Sequence, residues 1–521
     1  MKWRVFGVLF PVVLIAALVY LILKPKPVND KPQEDKPVIY AGSDDPGTVD
    51  PQAIDWGEQA RVATNVFETL VRFGKDPNVI EPLLATEWKS SADKKVWDFT
   101  LRSGVKFHDG SDFNADAVVF AYSRFNAKDP FAPKEIPYAS NFSDIEKIEA
   151  VSPTHVRFTL KSAGVIFLKN LAMFCCGVPS PTALKANPTG FGQKPSGTGP
   201  YRLTEWVKDQ KIVLERFDGY WGKRPSIGKA VIIPVRDAPV RIQKLLDGQI
   251  HILDNVSAMD VEVVRKNPAF VVGEDVSMNI CYLGFNMDHA PYSNPDFRKA
   301  VAMAIDKKKL NELGYFGKAE IARSILPPSI WGHDPEAPEP ALDREKAKEL
   351  LAKISNLPEV ELYFPSYSRP YVPDPDKVAQ SIQADLKAIG LNVKIQSFPR
   401  DSYSANVHKK DHPMFLLGWS TDNADPDNFL YALLHGDSIP NNGTNGTFFN
   451  HPEFDELTKR AQSEVDEAKR KELYIKAQRI YKEQIPSIPL VHVKPVVAHT
   501  SKLKYNQHPL EVRLTDLEWV K

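Results

Sequence analysis

Apolar and polar residues alternate over 95–102 and again over 155–160. A two-residue period sets one side of each segment against a core, so both are predicted strands. Residues 37–40 and 391–395 read as two further short strands. Elsewhere apolar positions recur at helical spacing. The pattern predicts helices over 115–125, with Asn114 as cap, and over 240–246, 295–305, 343–353 and 376–389; 455–484 reads as largely helical. Gly- and Pro-rich runs at 42–47, 197–201 and 217–222 mark turns between these segments. Strands and helices mix throughout, which predicts an α/β or α+β architecture. No short-period repeat is present, which argues against a solenoid.

A different pattern opens the chain. Lys2 and Arg4 precede an uncharged stretch over 5–23, the length of a membrane-spanning helix of about 20 residues. The apolar run continues from Leu18 to Leu23, beyond the small pair Ala16 and Ala17 where a signal peptide would be cut. No cysteine follows the stretch closely, so a lipoprotein anchor is excluded. A transmembrane signal-anchor over 1–23 is therefore expected, with a cleaved signal peptide as the alternative. Residues 24–36, rich in Pro, Lys and Asp, read as a semi-extended tether of about 40 Å. Lys24 and Lys26 nearly balance Lys2 and Arg4, so membrane orientation is only weakly specified.

At 521 residues the chain exceeds what one compact core usually needs. No Gly/Ser linker divides it after Pro37, so its domains are expected to interleave. Lys plus Arg number 66, as do Asp plus Glu. That balance gives no support to a nucleic-acid surface. Charge recognition must then come from a few placed residues. Among three cysteines, Cys175 and Cys176 are adjacent. A strained disulfide or a metal site is conceivable there; two small buried residues beside Phe174 is the simpler reading. No zinc spacing occurs, and no GxSxG, HExxH or P-loop pattern supports a hydrolase. His108 and Asp109 belong to a strand-end turn, not to a catalytic pair.

Several blocks resemble a known family. They are 84–89, 97–110, 197–201 and 217–222, then Phe285-Asn286 and 296–300. In this order they are similar to the extracellular solute-binding proteins of ABC importers, family 5, from about Val38 to the C-terminus. Residues 418–429 and 368–371 are most similar to the dipeptide-binding members. The resemblance implies a bilobed α/β clamshell of the periplasmic-binding-protein type with an extra inserted domain. Lobe I is then expected over 37–70, 193–276 and 493–521, the insertion over 71–192 and lobe II over 277–492. It implies a non-enzymatic monomer, with no cofactor, that hands a short peptide to importer membrane subunits at the extracytoplasmic face.

A dipeptide carries an ammonium and a carboxylate. The resemblance places Asp422 opposite the first and Arg369 opposite the second. An Asp accepts several charge-assisted hydrogen bonds, and the Arg fork can grip a carboxylate bidentately. Tyr371 and Trp419 are candidate walls, backbone groups of Gly418 and Ser420 candidate main-chain contacts, and the segment Asp55-Trp56-Gly57, Gly57 above all, a candidate source of backbone contacts from the opposite lobe. Relatives that bind haem, nickel chelates or antimicrobial peptides define the alternatives within the fold.

Overall fold

The computed structural model describes residues 36–439 and 444–520, without the side chain of Asp401. Among them no helix is long and apolar enough to cross a membrane. The expected anchor over 1–23, and the tether up to residue 35, lie outside the described residues.

Three sheets organise the chain. The first has seven strands, ordered Phe270–Glu274, Val496–Thr500, Ile252–Asp254, Val38–Gly42, Lys229–Pro234, Lys211–Arg216, Tyr201–Val207. Val38–Gly42 runs parallel to both of its neighbours. The second has six, ordered Glu320–Ile321, Ser487–His492, Asn279–Gly284, Met414–Ser420, Val360–Pro365, Val393–Phe398. A third, antiparallel sheet holds Ala85–Ser90, Val96–Leu101, His155–Leu160 and Ile145–Ser152. With helices packed around them, this is the mixed α/β architecture the patterning predicts.

Local chemistry explains the element boundaries. In Val96–Leu101, Trp97, Phe99 and Leu101 are buried while Thr100 is exposed, as the two-residue period requires. Asn114 caps Ala115–Ser123 by accepting from the Ala117 N–H at 3.0 Å. The predicted helix over 455–484 is instead two, Pro452–Ala461 and Glu467–Gln484. Asp466 ends the continuity, since its carboxylate accepts from the N–H groups of Ala468 and Lys469 and starts a new helix. Arg470 donates to the Ala461 carbonyl at 2.8 Å and caps the first helix. All three cysteines are free and buried.

Most of the sequence blocks turn out to be joints. Glu68, buried, accepts from Thr198 at 2.8 Å, Tyr220 at 2.9 Å and Trp221 at 2.8 Å. Burial lifts its carboxyl to about 7 although these three donors oppose the shift. A Cβ on Gly197 would lie 2.2 Å from the Val66 carbonyl, so only glycine lets the two segments meet. His108 bonds the Gly199 carbonyl at 2.9 Å and accepts the Gly197 N–H at 3.3 Å. Burial drives its pKa down to about 4. It is a neutral structural histidine. Arg298 donates to the Gln484 carbonyl at the end of Glu467–Gln484, and Asn286 bonds the carbonyls of Lys410 and His412.

Two segments cross between the first and second sheets, 275–278 outward and 493–495 back. They are tied to each other. Asn279 donates to the Val493 carbonyl at 2.8 Å and accepts its N–H at 2.9 Å, and the Asp275 N–H meets the Pro495 carbonyl at 3.1 Å.

Candidate functional site

A cavity of about 890 Å³ lies between the first and second sheets and is lined by all seven residues singled out in the sequence. That size is in the usual range for small-molecule sites, roughly 300–1,000 Å³.

Its second-sheet wall is built from strand ends. Val360–Pro365 runs parallel to both Met414–Ser420 and Val393–Phe398. The chain leaves all three at their carboxyl ends on the same side, which is where open α/β sheets hold ligands. Asp422 follows the first of these neighbours in space, Arg369 the central strand, and Arg400 the third.

Asp422 is half-buried. Its carboxylate accepts from the Tyr138 hydroxyl at 3.0 Å and, among the described residues, has no cationic partner. Burial lifts this carboxyl to about 7; the Tyr138 bond opposes the rise, and the Asp55 charge adds to it. Asn428 fixes the surrounding loop. Its side-chain oxygen accepts the Trp419 indole N–H at 2.9 Å and the Asp422 backbone N–H at 3.2 Å.

Arg369 opens a tight turn in which its own backbone and that of Val372 exchange two hydrogen bonds of 3.0 Å. Pro370 sits at the second position of this turn, where its fixed φ is favoured. The Arg369 Nε donates to the Tyr371 hydroxyl at 3.0 Å. Its guanidinium lies 5.2 Å from the Tyr371 ring and 5.9 Å from that of Tyr367. Tyr371 raises its pKa further, against the effect of burial. Arg369 too has no carboxylate partner among the described residues.

Tyr371 is buried, held by Tyr315 donating to its carbonyl at 3.0 Å. A Cβ on Gly418 would come within 2.2 Å of the Tyr371 ring and 2.4 Å of the Ile280 carbonyl. Gly418 therefore serves close approach, letting the Tyr371 ring pack against the strand that carries Trp419. Ser420 is exposed at that strand's end, paired with Asn279 beside the crossing segments. Gly57 comes from the first-sheet side, exposed at the start of helix Gly57–Val66 with open space around its Cα.

The side chains of Tyr138 and Arg400 were not predicted, and Asp55 was expected only for backbone contacts. Tyr138 reaches Asp422 from the unit of the third sheet. Asp55 faces the cavity, its carboxyl raised by burial and lowered by Arg369. Arg400 packs 4.4 Å from the Trp56 ring and 5.2 Å from the Tyr367 ring, which links the two sides. A run of turn residues names none of these. The one available signal was that Arg400 closely follows a predicted strand.

The family model for bacterial extracellular solute-binding proteins, family 5, matches residues 79–441. The dipeptide-binding protein of Pseudomonas aeruginosa is 32% identical over 87% of this chain and 89% of its own. Heme-binding protein A of Haemophilus influenzae is 34% identical, over 82% and 81%. Among solved structures, an ABC-transporter-associated periplasmic binding protein from Helicobacter pylori, in complex with the peptide STSA, superposes with a TM-score of 0.85. It is 30% identical and covers 94% of this chain and 98% of its own.

Proposed function

We propose that this chain, which belongs to the bacterial extracellular solute-binding proteins of family 5, captures a short peptide, a dipeptide first of all, for an ABC importer. It does so by clamping both peptide ends, and it does not hydrolyse the peptide. The observation that carries this reading is the pair of opposite charges, Asp422 and Arg369, neither of which has an ionic partner among the described residues. They stand at the carboxyl ends of adjacent parallel strands in one cavity.

Asp422 and Arg369 lie in loops just beyond neighbouring strands of one sheet, which holds the two loops in place. Their separation then acts as a ruler. Asp422 receives the ammonium and Arg369 the carboxylate. Tyr371 and Trp419 wall the peptide, backbone groups of Gly418 and Ser420 contact its main chain, and the helix start at Gly57 faces it from the other side. A longer peptide would bury an unpaired end charge or displace one from its partner, which costs several kcal/mol. Haem or a nickel chelate fits less well. Neither needs two matched end charges, and among the described residues the cavity wall carries no histidine. An antimicrobial peptide would exceed the cavity.

In this account 37–70, 193–276 and 493–521 form one lobe, 277–492 the other, and 71–192 an inserted domain. The lobes close about the paired crossing segments, because the ligand touches both only when they shut. The protein works as a monomer, held to the membrane by 1–23. The proposal is tested by titrating it with di-, tri- and tetraalanine. Affinity is expected to be highest for the dipeptide and about tenfold or more weaker for each longer peptide. Equal or tighter binding of the longer peptides would contradict the ruler.

A further inference from the structure

The row of strand ends does not stop at Arg369. Val393–Phe398 lies on the other side of Val360–Pro365, and the Ser366 N–H bonds the Phe398 carbonyl at 2.8 Å, extending that pairing toward the cavity. Arg400 follows at once. Across three adjacent strands the row therefore reads negative, positive, positive, from Asp422 through Arg369 to Arg400. A dipeptide's two ends use only the first two.

Arg400 has the form of a binding group. It lines the cavity. The Trp56 and Tyr367 rings pack against it. Stacking of this kind occupies the face of a guanidinium and leaves its N–H edge available. Among the described residues that edge has no carboxylate or carbonyl partner. Tyr367 lies between the two cations, within 5.9 Å of Arg369 and 5.2 Å of Arg400, so they are neighbours sharing one ring. Asp55, exposed on the facing side of the cavity, is the acid whose charge is felt by both.

We infer that Arg400 is a specificity-determining residue that selects peptides with an acidic side chain on the carboxyl-terminal residue. It takes the side-chain carboxylate while Arg369 takes the main-chain one. The inference rests on the dipeptide reading above. Arg400 extends it by naming the peptide class.

The test compares Ala-Glu with Ala-Gln, which match in size and differ in charge, by calorimetric titration of the wild type and of Arg400→Gln. Glu-Ala and Gln-Ala serve as position controls. The wild type is expected to bind Ala-Glu about tenfold more tightly than Ala-Gln and to bind Glu-Ala no more tightly than Gln-Ala. The Ala-Glu preference is expected to fall to near unity in Arg400→Gln. Equal affinities for Ala-Glu and Ala-Gln in the wild type would overturn the inference, as would a preference that survives in Arg400→Gln. The wild-type ratio keeps the test decisive if the variant folds poorly. Failure of the wild type to bind even Ala-Gln would overturn the dipeptide site itself, a result distinct from loss of the charge preference.

Discussion

Replacing Asp422 with Asn should weaken dipeptide binding by a hundredfold or more at pH 8. The ammonium would then be buried against a neutral amide. Removing one partner of a buried ion pair costs about 3–5 kcal/mol, which is roughly two to three and a half decades in affinity. The same residue should make binding depend on pH. Burial lifts the free Asp422 carboxyl to about 7, and the ammonium binds the ionised form. A bound ammonium pulls that pKa down, so below pH 7 each binding event releases a proton and affinity falls as pH falls. The limit for one proton is tenfold per pH unit, which amounts to roughly a hundredfold between pH 8 and pH 5. The diagnostic quantity is therefore the difference in slope between wild type and Asp422→Asn, read by titration across that range. Equal slopes would assign the ammonium to another group.

Arg369→Ala should cost about as much, because the ligand carboxylate would lose its only planar, bidentate partner on the central strand. Arg369→Lys should recover part of this, leaving a deficit of about tenfold. A lysine restores the charge as a point. It also loses the geometry set by the 3.0 Å bond from Nε to the Tyr371 hydroxyl. Titration of both variants, each with an unchanged thermal melt, checks the order wild type, Lys, Ala. A lysine variant that binds as tightly as wild type would mean the guanidinium fork is not used.

Much of the fold was legible because its signals are local. Strict alternation over 95–102 and 155–160 marks strands whose two sides meet core and solvent, and Asn114 announces its helix. The break after Ala461 was not legible, since apolar spacing continues through it. Only the cap made by Asp466 separates the two helices. The site was legible in another way. Asp422 alone reads as a turn residue and Arg369 as a surface charge, and similarity to family segments picked them out. Periodicity does not reveal that 360–365 and 414–420 pair in parallel across some fifty residues of intervening chain. Nor does it reveal that Tyr138 arrives from a different sheet unit, or that Arg400 continues the row. Those are consequences of strand order, which is a property of the folded chain. The sequence blocks that carried the resemblance best serve the joints around Glu68, His108 and Arg298 instead of the cavity wall.

In the proposed binding mode both end charges of the peptide are clamped at once. Calorimetric titration with Ala-Ala, N-acetyl-Ala-Ala and Ala-Ala-amide tests it most directly. Tight binding of Ala-Ala is expected, with a loss of about a hundredfold or more for each blocked form, because each leaves one of Asp422 and Arg369 buried without a partner. Binding of either blocked peptide at the affinity of Ala-Ala would contradict it.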